Sequence, residues 1–253
     1  EICSADPALA VPILKEEMGR ASGDRQVRLA QALAMFGSKA ATPVLIEAIY
    51  GALDTWTVPG PPRSESDASH GKGVRGGVPT PPADLLYSLG MTRDPRAIPV
   101  WDRVAGMVKA EPPDLAAELP YPFHFTDAIC CGAELLGDPA AIPILKRIRS
   151  VPNLRNQSAK KGFQVNFELE KRALIEVTIG RTLASLGDAE GYEILIEYLD
   201  DNRASLAEFA HMGLEELTER DNGKDARAWR QWLESARTSL KPIPRLHRVE
   251  GLG

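Results

Sequence analysis

Short apolar segments alternate along this chain with polar corners, and one apolar motif recurs. The motif reads Ala-x-Pro-x-Leu, with Trp replacing Leu in one copy, and it occupies residues 10–14, 41–45, 97–101 and 141–145. A weaker copy at 191–195 carries Glu in place of Pro. The apolar positions that follow each motif keep helical spacing. A unit of this size cannot bury its own apolar face, so the pattern predicts a stacked array of repeats.

The pattern predicts that each repeat consists of two helices joined by a short corner. We expect the first helix to end at a Leu-Gly or Phe-Gly step, because Gly accepts the left-handed conformation that closes a helix. These glycines are Gly37, Gly90, Gly137 and Gly187. An Asp-Pro corner often follows, in which Asp caps the second helix. The motif proline is expected early in that helix, where its missing N–H costs little.

The spacing between motif prolines is shortest between Pro12 and Pro43 and longer afterwards. The extra length falls after a second helix and before the next first helix each time, which predicts insertions at about 51–82, 110–122 and 151–167. Equivalent connections of a helix-pair array lie along one edge. We therefore expect the insertions to gather on one edge, where such arrays often bind.

These patterns predict an all-α fold, a right-handed α-solenoid of about five HEAT-like helix pairs spanning residues 1–240. A capping repeat is expected at about 203–238, with Trp229, Trp232 and Leu233 pointing inward. Residues 241–253 are expected to form an extended tail, because prolines interrupt them. The chain begins within a repeat and shows no signal peptide, so we interpret it as a mature product or a piece of something longer.

Composition excludes several functional classes. The net charge is −5, which argues against a broad nucleic-acid surface. No apolar run is long enough to span a membrane. Three cysteines provide no disulfide framework, and we expect Cys130 and Cys131 to be buried thiols. We assign Glu168, Glu170 and Glu176 to a solvated helix face. The sequence leaves localisation unknown.

Five residues are candidates for ligand binding. Trp56 opens the first insertion and either anchors it or lines a pocket. His70 and Arg75 lie in the same insertion, in a solvated loop or at a ligand. His124 and Asp127 share a helix face, so Asp127 could orient the imidazole, although His124 could equally be a structural residue at the start of a helix.

Stronger chemical signatures are not found in the sequence. Residues 71–76 match G-x-G-x-x-G but lack the flanking strand and helix of a dinucleotide site. No histidine pair has the spacing of a zinc site, and no nucleophile elbow occurs. We therefore predict no catalytic, cofactor or metal residues in this chain.

Two resemblances add to this interpretation. Residues 136–145, Leu-Gly-Asp-Pro-Ala-Ala-Ile-Pro-Ile-Leu, resemble the short HEAT-like repeats of phycobilin lyases. Residues 81–99, together with Phe-His-Phe at 123–125 and the helix leading to Pro139, resemble the carboxy-terminal helical region of bacterial FAD-dependent oxidoreductases. That second likeness covers about 82–150 and implies an accessory module. Any FAD would be held by another part of the parent protein.

The sequence thus favours a non-catalytic binding or scaffolding module, accessory to a larger FAD-dependent oxidoreductase. Its partner would be another protein or an adjoining domain of the same polypeptide, and neither nucleic acid nor membrane is expected. The alternative is an enzyme or ligand-binding protein with a site on the insertion edge near His70 and His124. A third possibility is a protein similar to bilin lyases.

Overall fold

The computed structural model describes residues 6–56, 81–109, 120–160, 166–243 and 245. This part of the chain is helical and contains no strand, which confirms the predicted all-α class. The helices are α1 (Pro7–Arg20), α2 (Gly23–Met35), α3 (Thr42–Thr55), α4 (Pro81–Met91), α5 (Ala97–Ala105), α6 (Pro120–Leu136), α7 (Ile142–Arg149), α8 (Phe167–Ser185), α9 (Ala189–Tyr198), α10 (Ala204–Thr218) and α11 (Ala226–Ala236). Among these helices, none combines the length and the apolar character needed to cross a membrane.

The helices pack in two layers. In the first layer α2, α4, α6, α8 and α10 contact one another in chain order. In the second layer α3 packs against α5, α5 against α7, and α9 against α11. Each second-layer helix from α3 to α9 also contacts the first-layer helix that follows it. Fully buried side chains such as Leu33, Leu89 and Leu183 lie between the layers and form one continuous core.

Three of the four glycines expected to end first-layer helices do so. Gly37, Gly137 and Gly187 have φ angles of 69°, 67° and 82°, in the left-handed region that favours glycine. Gly90 differs, because α4 continues through Met91. A Cβ atom added to Gly90 would lie 2.6 Å from the Cα atom of Gly132 on α6. The prediction for Gly90 is wrong: it permits the close crossing of α4 and α6.

The motif proline is early in the helix in most copies. Pro43 and Pro143 are the second residues of α3 and α7, and a 3₁₀ turn precedes each of these helices. Pro12 is different, since it lies inside α1. That helix begins at Pro7, where the Asp6 side chain accepts a hydrogen bond from the Ala8 N–H, so it starts before the motif rather than within it.

The corner residue Asp94, which precedes α5, contacts the start of α3. Its carboxylate accepts a hydrogen bond at 3.0 Å from the hydroxyl of Thr42, the first residue of α3. It also accepts from the backbone N–H of Arg96 at 3.0 Å and from the Arg96 guanidinium at 2.6 Å. The hydrogen bonds from the Arg96 side chain lower the pKa of Asp94 to about 2, against the opposing effect of burial. The charged carboxylate is therefore the form that stabilises the corner.

We expect Asp94→Asn to destabilise the protein by about 1–2 kcal/mol at pH 7. The folded-state pKa lies below the ordinary value of 3.8, so this stability is present above pH 4 and is lost as pH falls towards 2. Urea unfolding at pH 7 and pH 2 measures the effect, and an equal deficit at both would contradict it. The control Asp138→Asn should stay within about 0.5 kcal/mol, because Asn caps helices as well as Asp does.

Candidate functional site

A recess opens on the side of the second layer. It has a volume of about 670 Å³ and is lined by residues of α7 and α9, by the connection after α7, and by Glu176 and Arg237. We call it the charged cleft, because most of its lining side chains are ionisable. It lies where the connection after α7, part of the third expected insertion, meets α7 and α9.

Glu176 of α8 forms the floor of the charged cleft, and its side chain is only 3% exposed. Its carboxylate contacts the Arg149 guanidinium at 2.9 Å. It also accepts hydrogen bonds from the backbone N–H groups of Asn156 at 2.9 Å and Gln157 at 2.7 Å, and from the Tyr198 hydroxyl at 3.0 Å. The expectation that Glu176 lies on a solvated face is wrong. The connection after α7 folds back over α8 and supplies the donors that a buried carboxylate requires.

These contacts define the Glu176 cluster, which consists of Glu176, Arg149, Tyr198 and the N–H groups of 156 and 157. Both carboxylate oxygens are engaged by donors, and a guanidinium neutralises the charge. Burial, together with the nearby Glu176 carboxylate, raises the pKa of Tyr198 well above its usual range, so the phenol stays protonated and keeps donating. The cluster is therefore arranged to hold the connection in place rather than to exchange protons with a substrate.

The same connection also contacts the next connection along the edge. The Ala159 N–H donates to Asp201 at 2.8 Å, and the Asn202 N–H donates to the Ala159 carbonyl at 2.7 Å. The Arg203 guanidinium donates to the Gln157 carbonyl and to Asp201, both at 2.6 Å. Burial would raise the pKa of Asp201, but the hydrogen bonds from Arg203 and Ala159 outweigh it and lower the pKa. The connections at 150–160 and 199–203 thus lie against each other.

Cations of the charged cleft are paired with carboxylates of the α9 region. Lys146 lies 2.8 Å from Asp188, Arg149 lies 2.6 Å from Glu190, and Arg237 lies 2.6 Å from Glu193. The hydrogen bond to Asp188 is the main cause that raises the pKa of Lys146. Because charges of both signs alternate across its surface, the cleft is suited to a mixed-charge protein surface rather than to a strongly anionic ligand.

A smaller pocket of about 210 Å³ opens on the side of the first layer. We call it the α6 pocket, because Asp127, Cys131 and Glu134 of α6 line one wall. Residues of α8 and α10 form the opposite wall, and Arg245 closes one end. It is therefore built from three successive first-layer helices.

The α6 helix brings together three of the five predicted ligand residues. The Trp56 ring packs on Phe125 with 5.2 Å between centroids, beside the turn that carries His124. His124 is half-buried, and its ring meets the edge of Phe123 at 5.5 Å. Asp127 accepts a hydrogen bond from the Tyr87 hydroxyl of α4. Within the described residues the partner of Asp127 is thus Tyr87 rather than His124. His70 and Arg75 lie outside the described residues.

Protonated groups surround Asp127. Burial, with the hydrogen bond to Asp127, raises the pKa of Tyr87 well above its usual range. Burial also raises the pKa of the Cys130 thiol and, against the opposing charge of Arg245, that of Cys131. A cysteine nucleophile requires a lowered thiol pKa. The expectation of a buried thiol is therefore confirmed for Cys130, whereas Cys131 is only half-buried, and neither thiol has the lowered pKa of a nucleophile.

Sequence reasoning missed the Glu176 cluster. One signal was present in the sequence: Glu176 stands between two apolar residues, Ile175 and Val177, and the structure buries both. A helix with apolar residues on every side is packed on every side, so its charged residues need partners.

Comparison of this chain with family models, with curated proteins and with solved structures finds no match.

Proposed function

We propose that the two layers form a HEAT-like, right-handed α-solenoid of about five helix pairs that acts as a non-catalytic binding or scaffolding module. The chain-order contacts within each layer support this architecture. Side-chain links between successive repeats support it too. Asp94 contacts Thr42 of the preceding repeat, and Asp188 contacts Lys146 of the preceding repeat. Such nearest-neighbour links are typical of arrays whose stability is a sum over adjoining units.

The observation that carries the binding function is the apolar outer side of α1. Leu9 and Ile13 lie one turn apart and are 69% and 61% exposed. Val11, Leu14 and Met18 on the opposite side pack against the core. The helix is thus apolar on two sides but covered on one. Apolar side chains on the open side of a helix mark a surface that a partner can cover, so the amino-terminal half of α1 fits a further protein surface.

In this proposal the surface of α1 is covered by an adjoining domain of the same polypeptide, the flavin-containing part of an FAD-dependent oxidoreductase. The resemblance of residues 82–150 to the helical region of such enzymes supports this choice of partner. The states of the polar groups support a non-catalytic role: Glu176 is engaged by several donors, and Tyr198 and the two thiols are held protonated. FAD is assigned to no residue of this chain.

Hydrogen exchange in the full natural polypeptide, compared with the 253-residue chain, tests the proposal. We expect α1 amides to exchange at least tenfold more slowly in the longer polypeptide, which should also show flavin absorbance. Replacing Leu9 and Ile13 together with Ser should abolish that protection. The control Met212→Ser removes an exposed methionine from α10 and should change nothing. Equal exchange of α1 in both proteins would contradict the docking of a domain there.

The α6 pocket favours a second function, ligand binding near His124. Its wall places the Asp127 and Glu134 carboxylates together with the guanidinium groups of Arg181 and Arg245, an arrangement suited to a small polar ligand. In the same exchange experiment, protection confined to α6 and α8 rather than α1 would support this function over the first.

A further inference from the structure

Three side chains of types that coordinate metal ions converge between α10 and the turn that follows it. His211 and Glu215 lie one turn apart on α10, with 3.2 Å between the imidazole Nε2 and a carboxylate oxygen. Asp221 reaches the same point from the turn, so that one ligand atom from each residue lies within 4.8 Å of the others. We propose that these residues form a binding site for a divalent transition-metal ion such as Zn²⁺.

The state of the imidazole is the first argument. The Nε2 atom of His211 is buried and makes no hydrogen bond within the part of the chain that the structure describes. Its approach to Glu215 is short but does not meet hydrogen-bond geometry. A buried polar atom without a partner costs free energy, and such atoms call for a specific explanation. An ion bound between Nε2 and the two carboxylates would supply the missing partner.

The chemistry of the donor set is the second argument. The set offers one imidazole nitrogen and two carboxylates, ligand groups that Zn²⁺ accepts in proteins, and it leaves a fourth position to solvent. Hard cations such as Mg²⁺ prefer oxygen ligands alone, so the imidazole favours a first-row transition metal. The side chain of Glu215 is 37% exposed and Asp221 is exposed. Both can therefore change rotamer and close the remaining distance to one ion.

Neighbouring groups orient the ligands. The other imidazole nitrogen, Nδ1, faces the Glu208 carboxylate at 4.0 Å, and Lys224 holds Glu208 at 2.9 Å. A carboxylate behind the second nitrogen of a metal-binding histidine is the usual support for its orientation. One oxygen of Asp221 accepts the Gly223 N–H at 3.0 Å, which leaves the other oxygen for a metal.

The position of the site suggests its role. Gly223, two residues after Asp221, accepts a hydrogen bond from the Trp229 indole of α11 at 2.8 Å. A metal held by His211, Glu215 and Asp221 would therefore tie α10 to the turn on which the last helix is anchored. An ion that binds only the folded state stabilises that state. This ion would therefore stabilise the packing of the terminal helix pair.

Calorimetric titration of the metal-free chain with ZnCl₂ tests the proposal. We expect saturable binding of one Zn²⁺ at this cluster, a higher unfolding temperature with Zn²⁺, and no displacement by excess Mg²⁺. His211→Asn should weaken binding at least 100-fold. Glu208→Gln, which removes only the supporting carboxylate, should weaken it about 10-fold.

Matched variants distinguish Zn²⁺ binding at this site from non-specific attraction of the cation to acidic side chains. Glu219→Gln removes the same charge from the same end of α10 but touches none of the three ligands, and it should bind Zn²⁺ as the parent chain does. Asp221→Asn alters only an exposed turn, so it should fold, as circular dichroism would verify, yet bind weakly. The absence of stoichiometric binding, or binding that survives in both His211→Asn and Asp221→Asn, would overturn the proposal.

Discussion

Trp229→Ala should destabilise the protein by about 3–5 kcal/mol, the range typical of emptying a large buried aromatic site. The Trp229 side chain is fully buried and meets the Trp232 ring edge-on at 5.9 Å. Its indole N–H donates to the Gly223 carbonyl. The substitution therefore removes packing, an aromatic contact and one half-buried hydrogen bond at once. Urea unfolding followed by circular dichroism measures the loss.

Two variants divide this effect into its parts. Trp229→Phe keeps an aromatic ring but gives up the indole donor and some volume, so its cost should be clearly smaller, about 1–3 kcal/mol. Trp232→Ala removes a half-buried ring and should also cost less than Trp229→Ala. A change within about 0.5 kcal/mol for Trp229→Ala would mean that α11 does not cover the core. Hydrogen exchange of α11 would show whether the loss is local to the terminal pair.

The last helix shows where sequence reasoning succeeds. Helical spacing and the polar Asp-Asn-Gly turn before the helix place Trp229 and Leu233 inward, and both are buried on α11. Those signals are local, because a capped helix with one apolar face is specified by its own residues. The same holds for Gly37, Gly137 and Gly187, each of which ends a helix.

Gly90 shows where the local signal is ambiguous. A Leu-Gly step near the end of a helix fits either a left-handed cap or a close helix crossing. The choice depends on Gly132, which approaches Gly90 from the next first-layer helix. That residue lies far away in the sequence, so a single chain without its fold does not reveal the contact. Periodicity predicts that the helix exists, and tertiary packing decides the role of its glycine.

The clusters of charged residues were missed for a related reason. The donors to Glu176 come from α7, from the connection after it and from α9, and two of them are backbone N–H groups without any side-chain signature. The cluster of His211, Glu215 and Asp221 depends on the course of a turn. Of the predicted ligand-binding residues, Trp56 lies near His124 because its ring packs on Phe125, the next residue in the chain. Sequence spacing indicates which residues have side chains suited to a site. The path of the connections between helices determines which of those side chains come into contact.

Glu176→Ala should be as severe as the loss of Trp229, at about 3–5 kcal/mol. Arg149, whose side chain is 11% exposed, would keep its charge but lose its most buried partner. The Tyr198 hydroxyl and the N–H groups of Asn156 and Gln157 would also lose their acceptor. Urea unfolding measures the total loss. Hydrogen exchange should locate its first effect at residues 150–160, because the cluster holds that connection against α8.

The matched control Glu190→Ala removes another carboxylate that contacts Arg149, one that is 31% exposed. It should cost no more than about 1 kcal/mol, and its cost should shrink in high salt, since exposed ion pairs are screened. The cost of Glu176→Ala should persist in high salt, because the salt ions do not reach a buried carboxylate. Equal costs for the two variants would mean that Glu176 is an ordinary surface partner. A large, salt-resistant difference would identify it as the group that holds the connection against α8.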